Sequence, residues 1–84
     1  MLHELKIIPR CFRLAKSGRK NFEIRLKDRD FNIGDRALLK EFDLKTETYT
    51  GRSILVEITD VFDISEVFRD CVAWTFNILE NDDE

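Results

Sequence analysis

Residues 53–62 read SILVEITDVF, with Ile54, Val56 and Ile58 on one parity and Leu55, Glu57 and Thr59 on the other. A period of two belongs to an extended strand, because successive side chains point to opposite faces of a sheet. In a chain of 84 residues this strand commits much of the core to a β-sheet. The remaining segments follow from that commitment. Residues 2–8 alternate well enough for a first strand, and Pro9 ends it while suiting the first turn of a helix. Residues 10–17 carry Phe12 and Ala15 at a spacing of three, with Cys11 and Leu14 completing an apolar side. Gly18 then closes the helix as a left-handed cap.

Further strands are expected over 21–26, 36–42, 53–62 and 71–79. Residues 27–30 form a polar connection with Phe31 and Ile33 as apolar anchors beyond it, and Gly34-Asp35 marks a tight turn. Residues 43–49 read as a polar hairpin connection before Thr50-Gly51. Residues 63–70 fit either a short helix or an irregular loop. The expected fold is α+β and mainly β: one helix after the first strand, on strands that close into a partly open barrel. The chain is read as a single domain over 1–84, with residues 81–84 as a frayed, solvated tail.

Composition excludes several classes. No apolar run reaches the roughly 18 residues of a membrane span. Pro9, Arg10 and Arg13 interrupt the first apolar stretch, so no signal peptide is read, and the expected location is the cytoplasm. Cys11 and Cys71 lie far apart with one His in the chain, which gives no metal site, and free thiols in a reducing compartment fit better than a disulfide. No cofactor is expected, and the chain is read as a monomer. The net charge of −3 conceals an asymmetry. Residues 1–40 hold eleven Lys/Arg against five Asp/Glu, a balance of +6, and residues 41–84 hold three against twelve, a balance of −9. Either the halves pair with each other or the first half offers a basic surface to an anion.

The segment Gly18 to Arg25, GRKNFEIR, concentrates the chemistry. Glu23 and Arg25 are two apart on a strand and so share a face, with Lys20 in the preceding turn. Phe22 and Ile24 are expected on the other face, in the core. Lys20 and Arg25 are suited to a phosphate, Lys as a point charge and Arg as a planar fork. Glu23 is suited to accept from a base or ribose donor, or to orient Arg25. An ordinary surface ion-pair network is the competing reading. Arg10, Arg13 and Lys16, continued by Arg19, form a basic stripe that either tracks a polynucleotide backbone or is simply solvated. Arg29 sits between Asp28 and Asp30 and is expected to pair locally, with contact to ligand as the lesser role. Trp74 and Tyr49 each offer a ring for stacking on a base, with the core or the barrel rim as the leading role of Trp74. His3 has no partner at motif spacing.

The ordered blocks HELKI, GRKNFEIR, KDRDF, IGD and YTGR resemble the ASCH domains of the PUA-like superfamily, and among them a small bacterial and bacteriophage branch of unknown function. The resemblance covers residues 3–62 and fades beyond. It implies a β-barrel of five to six strands with a helix after the first strand. It also implies a cleft between helix and barrel lined by Gly18, Lys20, Glu23 and Arg25 that takes RNA or a nucleotide-like small molecule. Arg19 and Arg29 flank this motif and join the expected binding set. Some members are amide hydrolases of acylated nucleosides that use a Lys and a Thr three residues later. Here that position is Glu23, and a carboxylate does not replace an activated hydroxyl in acyl transfer. Lys20 and Glu23 are the catalytic candidates of that second reading, in which the pair activates a water. A third is a protein-interaction module working through acidic positions such as Asp60, Asp63 and Glu66.

Overall fold

A computed structural model describes residues 1–81. The sequence order is β1 (Leu2–Ile7), α1 (Pro9–Lys16), β2 (Phe22–Leu26), β3 (Arg36–Asp43), β4 (Thr48–Asp63) and β5 (Cys71–Asn81). The five strands form one sheet in the order β1-β3-β4-β5-β2. β1 runs parallel to β3, and every other neighbouring pair is antiparallel. The sheet curls into a half-barrel, so the mainly β, barrel-like fold with one short helix after the first strand is present. No helix among the described residues is long and apolar enough to cross a membrane.

The core is built by alternation. Ile54, Val56 and Ile58 of β4 are buried, as their parity predicts, and face Ala37 and Leu39 of β3 and Val72, Trp74 and Phe76 of β5. Leu5 and Ile7 of β1 complete the inner face. The helix starts on Pro9 without a side-chain cap and contributes Phe12 and Ala15, which are fully buried. One residue in the left-handed region ends it: Gly18 has φ +85°, and the N–H groups of Arg19 and Lys20 both donate to the Leu14 carbonyl at 3.0 and 3.1 Å.

Several expectations are corrected. β4 begins at Thr48 and spans 16 residues, so the hairpin connection shrinks to residues 44–47. Glu47 there adopts φ +56°. Of the two alternatives left open for residues 63–70, the structure has the irregular loop, over 64–70, with Asp63 ending β4. Phe31 is buried as expected, but Ile33 is exposed and anchors nothing. β5 extends to Asn81, pairing it with Ile54, so the expected tail does not begin there; residues 82–84 lie outside the described residues.

The largest correction concerns β2. Phe22, Ile24 and Leu26 are 44%, 48% and 61% exposed, and Glu23 is 5% exposed. Glu23 and Arg25 do share a face, but it is the inner one. A period of two fixes which residues travel together and leaves open which set turns inward. Here the inward set is selected by partners: Trp74 lies directly opposite Glu23 on β5, and two cations meet the carboxylate.

His3 is also buried, and its partner is distant in sequence. Its Nε2 bonds Asp35 Oδ2 at 2.8 Å, and its ring lies 4.7 Å from that of Phe31. Asp35 also accepts from the Asn32 N–H at 3.1 Å and the Met1 amino group at 3.4 Å. The His3 hydrogen bond, foremost, holds the Asp35 carboxyl below its ordinary value against the opposing effect of burial.

Two outcomes follow in urea denaturation. Ile58→Ala should cost about 2–5 kcal/mol, whereas Ile24→Thr should change stability by only about 0.5 kcal/mol. A large loss at Ile24 would contradict the outward facing of β2. Because folding lowers the pKa of Asp35, its contribution is present above about pH 4 and is lost as pH falls through the folded value. Asp35→Asn should therefore flatten the acid limb of the stability profile below about pH 4.

Candidate functional site

β1 and β2 are the two edges of the sheet, and no ladder joins them among the described residues. The charged residues of the GRKNFEIR segment converge on this seam. The left-handed turn at Gly18 brings Lys20 back over β2, where its Nζ contacts Glu23 Oε2 and donates to the Phe22 carbonyl at 2.6 Å. From the other side Arg25 Nε donates to Glu23 Oε1 at 3.0 Å. Arg25 Nη2 lies 2.9 Å from the same oxygen and donates to the Lys6 carbonyl on β1 at 2.7 Å. Glu23 is thus held at both oxygens, and Arg25 spans the seam.

These bonds leave capacity. A guanidinium carries five N–H donors and an ammonium three. Among the described residues the contacts of Arg25 use Nε and Nη2, and those of Lys20 use two directions. Among the described residues these bonds do not use Nη1 of Arg25, and the Lys20 ammonium also stands 5.0 Å from the centre of the Phe22 ring.

A cleft of about 340 Å³ opens here, walled by Ile7, Ile8, Phe22 and Ile24, with Lys20, Glu23, Arg25, Lys6 and Cys11 among its lining. Beyond the Arg25 bridge a second hollow of about 480 Å³ is lined by Glu4, Leu5, Leu26, Asp28, Arg29 and Phe31, among others. The cleft opens at the seam of β1 and β2, with Cys11 the one α1 residue in its lining; it holds Lys20, Glu23 and Arg25 together and does not include Gly18.

The other expected residues are placed differently. Gly18 shapes the turn and borders a small hollow with Lys20 and Ala15. Arg19 is exposed on that turn and does not line the cleft. Arg29 lines the second hollow, 3.5 Å from Asp28 with its guanidinium 6.0 Å from the Phe31 ring. Of the stripe on α1, Arg10 and Arg13 are exposed. Trp74 is fully buried in the core.

Sequence reasoning missed two features. Lys6 enters through its main-chain carbonyl, which no side-chain pattern reveals. Glu41 on β3 is also a buried carboxylate, accepting from Thr50 Oγ1 at 2.7 Å and Arg52 Nε at 3.1 Å. Arg52 in turn stands 4.8 Å over the Phe12 ring. The YTGR block thus ties β4 to β3 and to the helix. The resemblance pointed to it without a role.

Removing one partner of a buried ion pair leaves an uncompensated charge. Glu23→Ala should cost about 3 kcal/mol. In a double-mutant cycle Glu23→Ala with Arg25→Ala should show a coupling of about 1–3 kcal/mol. Additive effects, measured by urea denaturation, would mean that the two side chains do not act together.

Comparison with known proteins places the chain. A family model described as "Domain of unknown function (DUF3850)" matches residues 2–80. The "Uncharacterized 12.9 kDa protein in GpA 3′region" of Escherichia phage P2 is 38% identical over 71 residues, which is 84% of this chain and 63% of the relative. The chain thus spans less than two thirds of that relative's length. Matched over almost its whole length, the chain belongs to the DUF3850 domain family.

Proposed function

We propose that this chain is an ASCH-like, PUA-like domain that binds a nucleotide, free or as part of an RNA, in the seam cleft between β1 and β2. The observation that carries this reading is the joining, in about 340 Å³, of an apolar wall to a charged floor. Small-molecule sites combine an apolar lining with a few fixed polar groups. A nucleotide matches that division, because its base is flat and largely apolar on its faces while its edges and phosphate are polar. Ile8, Phe22 and Ile24 supply the wall for the base. The remaining donors of Lys20 and Arg25 supply the anion contacts, and Glu23 fixes both cations in place. The ordered motif blocks and their likeness to ASCH domains support the same reading.

The geometry favours binding over hydrolysis. Both oxygens of Glu23 already accept from Lys20 and Arg25. Each oxygen is thus engaged by a cation, and no hydroxyl occupies the position three after Lys20.

Two built-in reporters allow a direct test. Cys11 lines the cleft, Cys71 does not, and both are free thiols. Trp74, the one tryptophan, is the cross-strand neighbour of Glu23. AMP, UMP and short RNAs should slow maleimide labelling of Cys11 but not of Cys71 and should shift the emission of Trp74. Both effects should vanish in Arg25→Ala. Unchanged Cys11 labelling with every nucleotide would reject the reading, and release of acid from an acylated nucleoside would install the hydrolase in its place.

A further inference from the structure

Outside the barrel, next to the seam, four side chains form a second surface. Phe42 on β3 and Tyr49 on β4 are cross-strand partners whose rings meet edge to face, 5.0 Å apart at 75°. Neither belongs to the buried core, and Tyr49 is 48% exposed. The Lys6 ammonium stands 4.3 Å from the centre of the Phe42 ring, and the Lys40 ammonium 4.7 Å from that of Tyr49. Lys6 and Lys40 are themselves paired in register on β1 and β3. Glu4 approaches Lys40 at 3.5 Å and is the counter-ion of this patch. Lys6 also lines the seam cleft, and its carbonyl is the one that Arg25 holds. The outer surface and the cleft are therefore contiguous through one residue.

We infer that this face is a second subsite for single-stranded RNA, continuing the strand whose first nucleotide occupies the cleft. The inference rests on the cleft reading above and extends it. The base after the bound nucleotide stacks on Tyr49, which every base can do because each has a π-face. The intervening phosphates lie between Lys6 and Lys40, and one of them displaces Glu4 from Lys40. An exposed ring flanked by two cations suits a polymer that alternates flat bases with anionic linkers. An acidic peptide would use the lysines and leave the rings without work.

Calorimetric titration with AMP, the dinucleotide ApA and hexa-adenylate tests this. Stacking should raise affinity roughly tenfold or more from AMP to the longer ligands. Tyr49→Leu, which keeps an apolar side chain without a ring, should abolish that gain and leave AMP binding unchanged. Tyr49→Phe should keep the gain, which separates stacking from loss of fold. Lys40→Ala should lower the slope of log K against log salt for hexa-adenylate by about 0.7, the share of one phosphate. Glu4→Gln should tighten hexa-adenylate binding. Equal affinity for AMP and hexa-adenylate would overturn the subsite and leave the cleft reading intact. Hexa-adenylate binding that depends on Tyr49 without any AMP binding would reject the cleft and overturn the subsite as its continuation. Equal competition by hexaglutamate would overturn the subsite in favour of an acidic-peptide surface, and binding of none of these ligands would reject both.

Discussion

The seam is held by one carboxylate. Glu23 is buried beside Trp74 and would be costly to bury alone, so its presence requires both Lys20 and Arg25. That requirement reaches outward. It draws the turn after the helix over the strand, which the left-handed Gly18 makes possible. It also aims Arg25 across the gap to the Lys6 carbonyl, which ties one sheet edge to the other. A half-barrel has two free edges, and free edges invite pairing with other chains. Here a guanidinium does at one point what a ladder does along a closed barrel.

The charge asymmetry seen in the sequence gains a physical meaning. Among the described ion pairs only Lys27 with Asp63 joins the basic first half to the acidic second half, at 3.2 Å and with both side chains well exposed. The other described pairs each stay within one half, as in Lys20 and Arg25 with Glu23, Lys40 with Glu4, and Arg52 with Glu41. The halves do not neutralise one another through these contacts. Lys20, Arg25, Arg29 and Lys40 are instead met by carboxylates of the first half itself.

Legibility in the sequence followed the range of the causes. β4 was readable because its alternation is long and its inward set is purely apolar. The helix, its Gly18 cap and the grouping of Lys20, Glu23 and Arg25 were readable because each depends on neighbours a few residues away. The facing of β2 was not. FEIRL offers an apolar set and a charged set at the same period, and the choice between them is made by Trp74, some fifty positions on, and by a carbonyl on β1. The His3–Asp35 pair was hidden for the same reason, since 32 residues separate partners that a parallel strand pairing brings together. The hairpin was overestimated because polar strand ends such as Thr48 and Asp43 look like loop until pairing is known.

The order of the strands carries a consequence for how the molecule comes into being. β3, β4 and β5 are joined by short connections and form a meander of local antiparallel contacts. β1 must instead find β3 across residues 8–35, and β2 must find β5 across residues 27–70. Closing such loops costs chain entropy that only later contacts repay. The two strands that wall the cleft are therefore the last that can be fixed in place. Until the C-terminal meander exists, Glu23 has neither Trp74 beneath it nor β1 across from it. The cleft is thus a property of the finished fold, and a molecule truncated within β5 would lose it together with the strand that supports it.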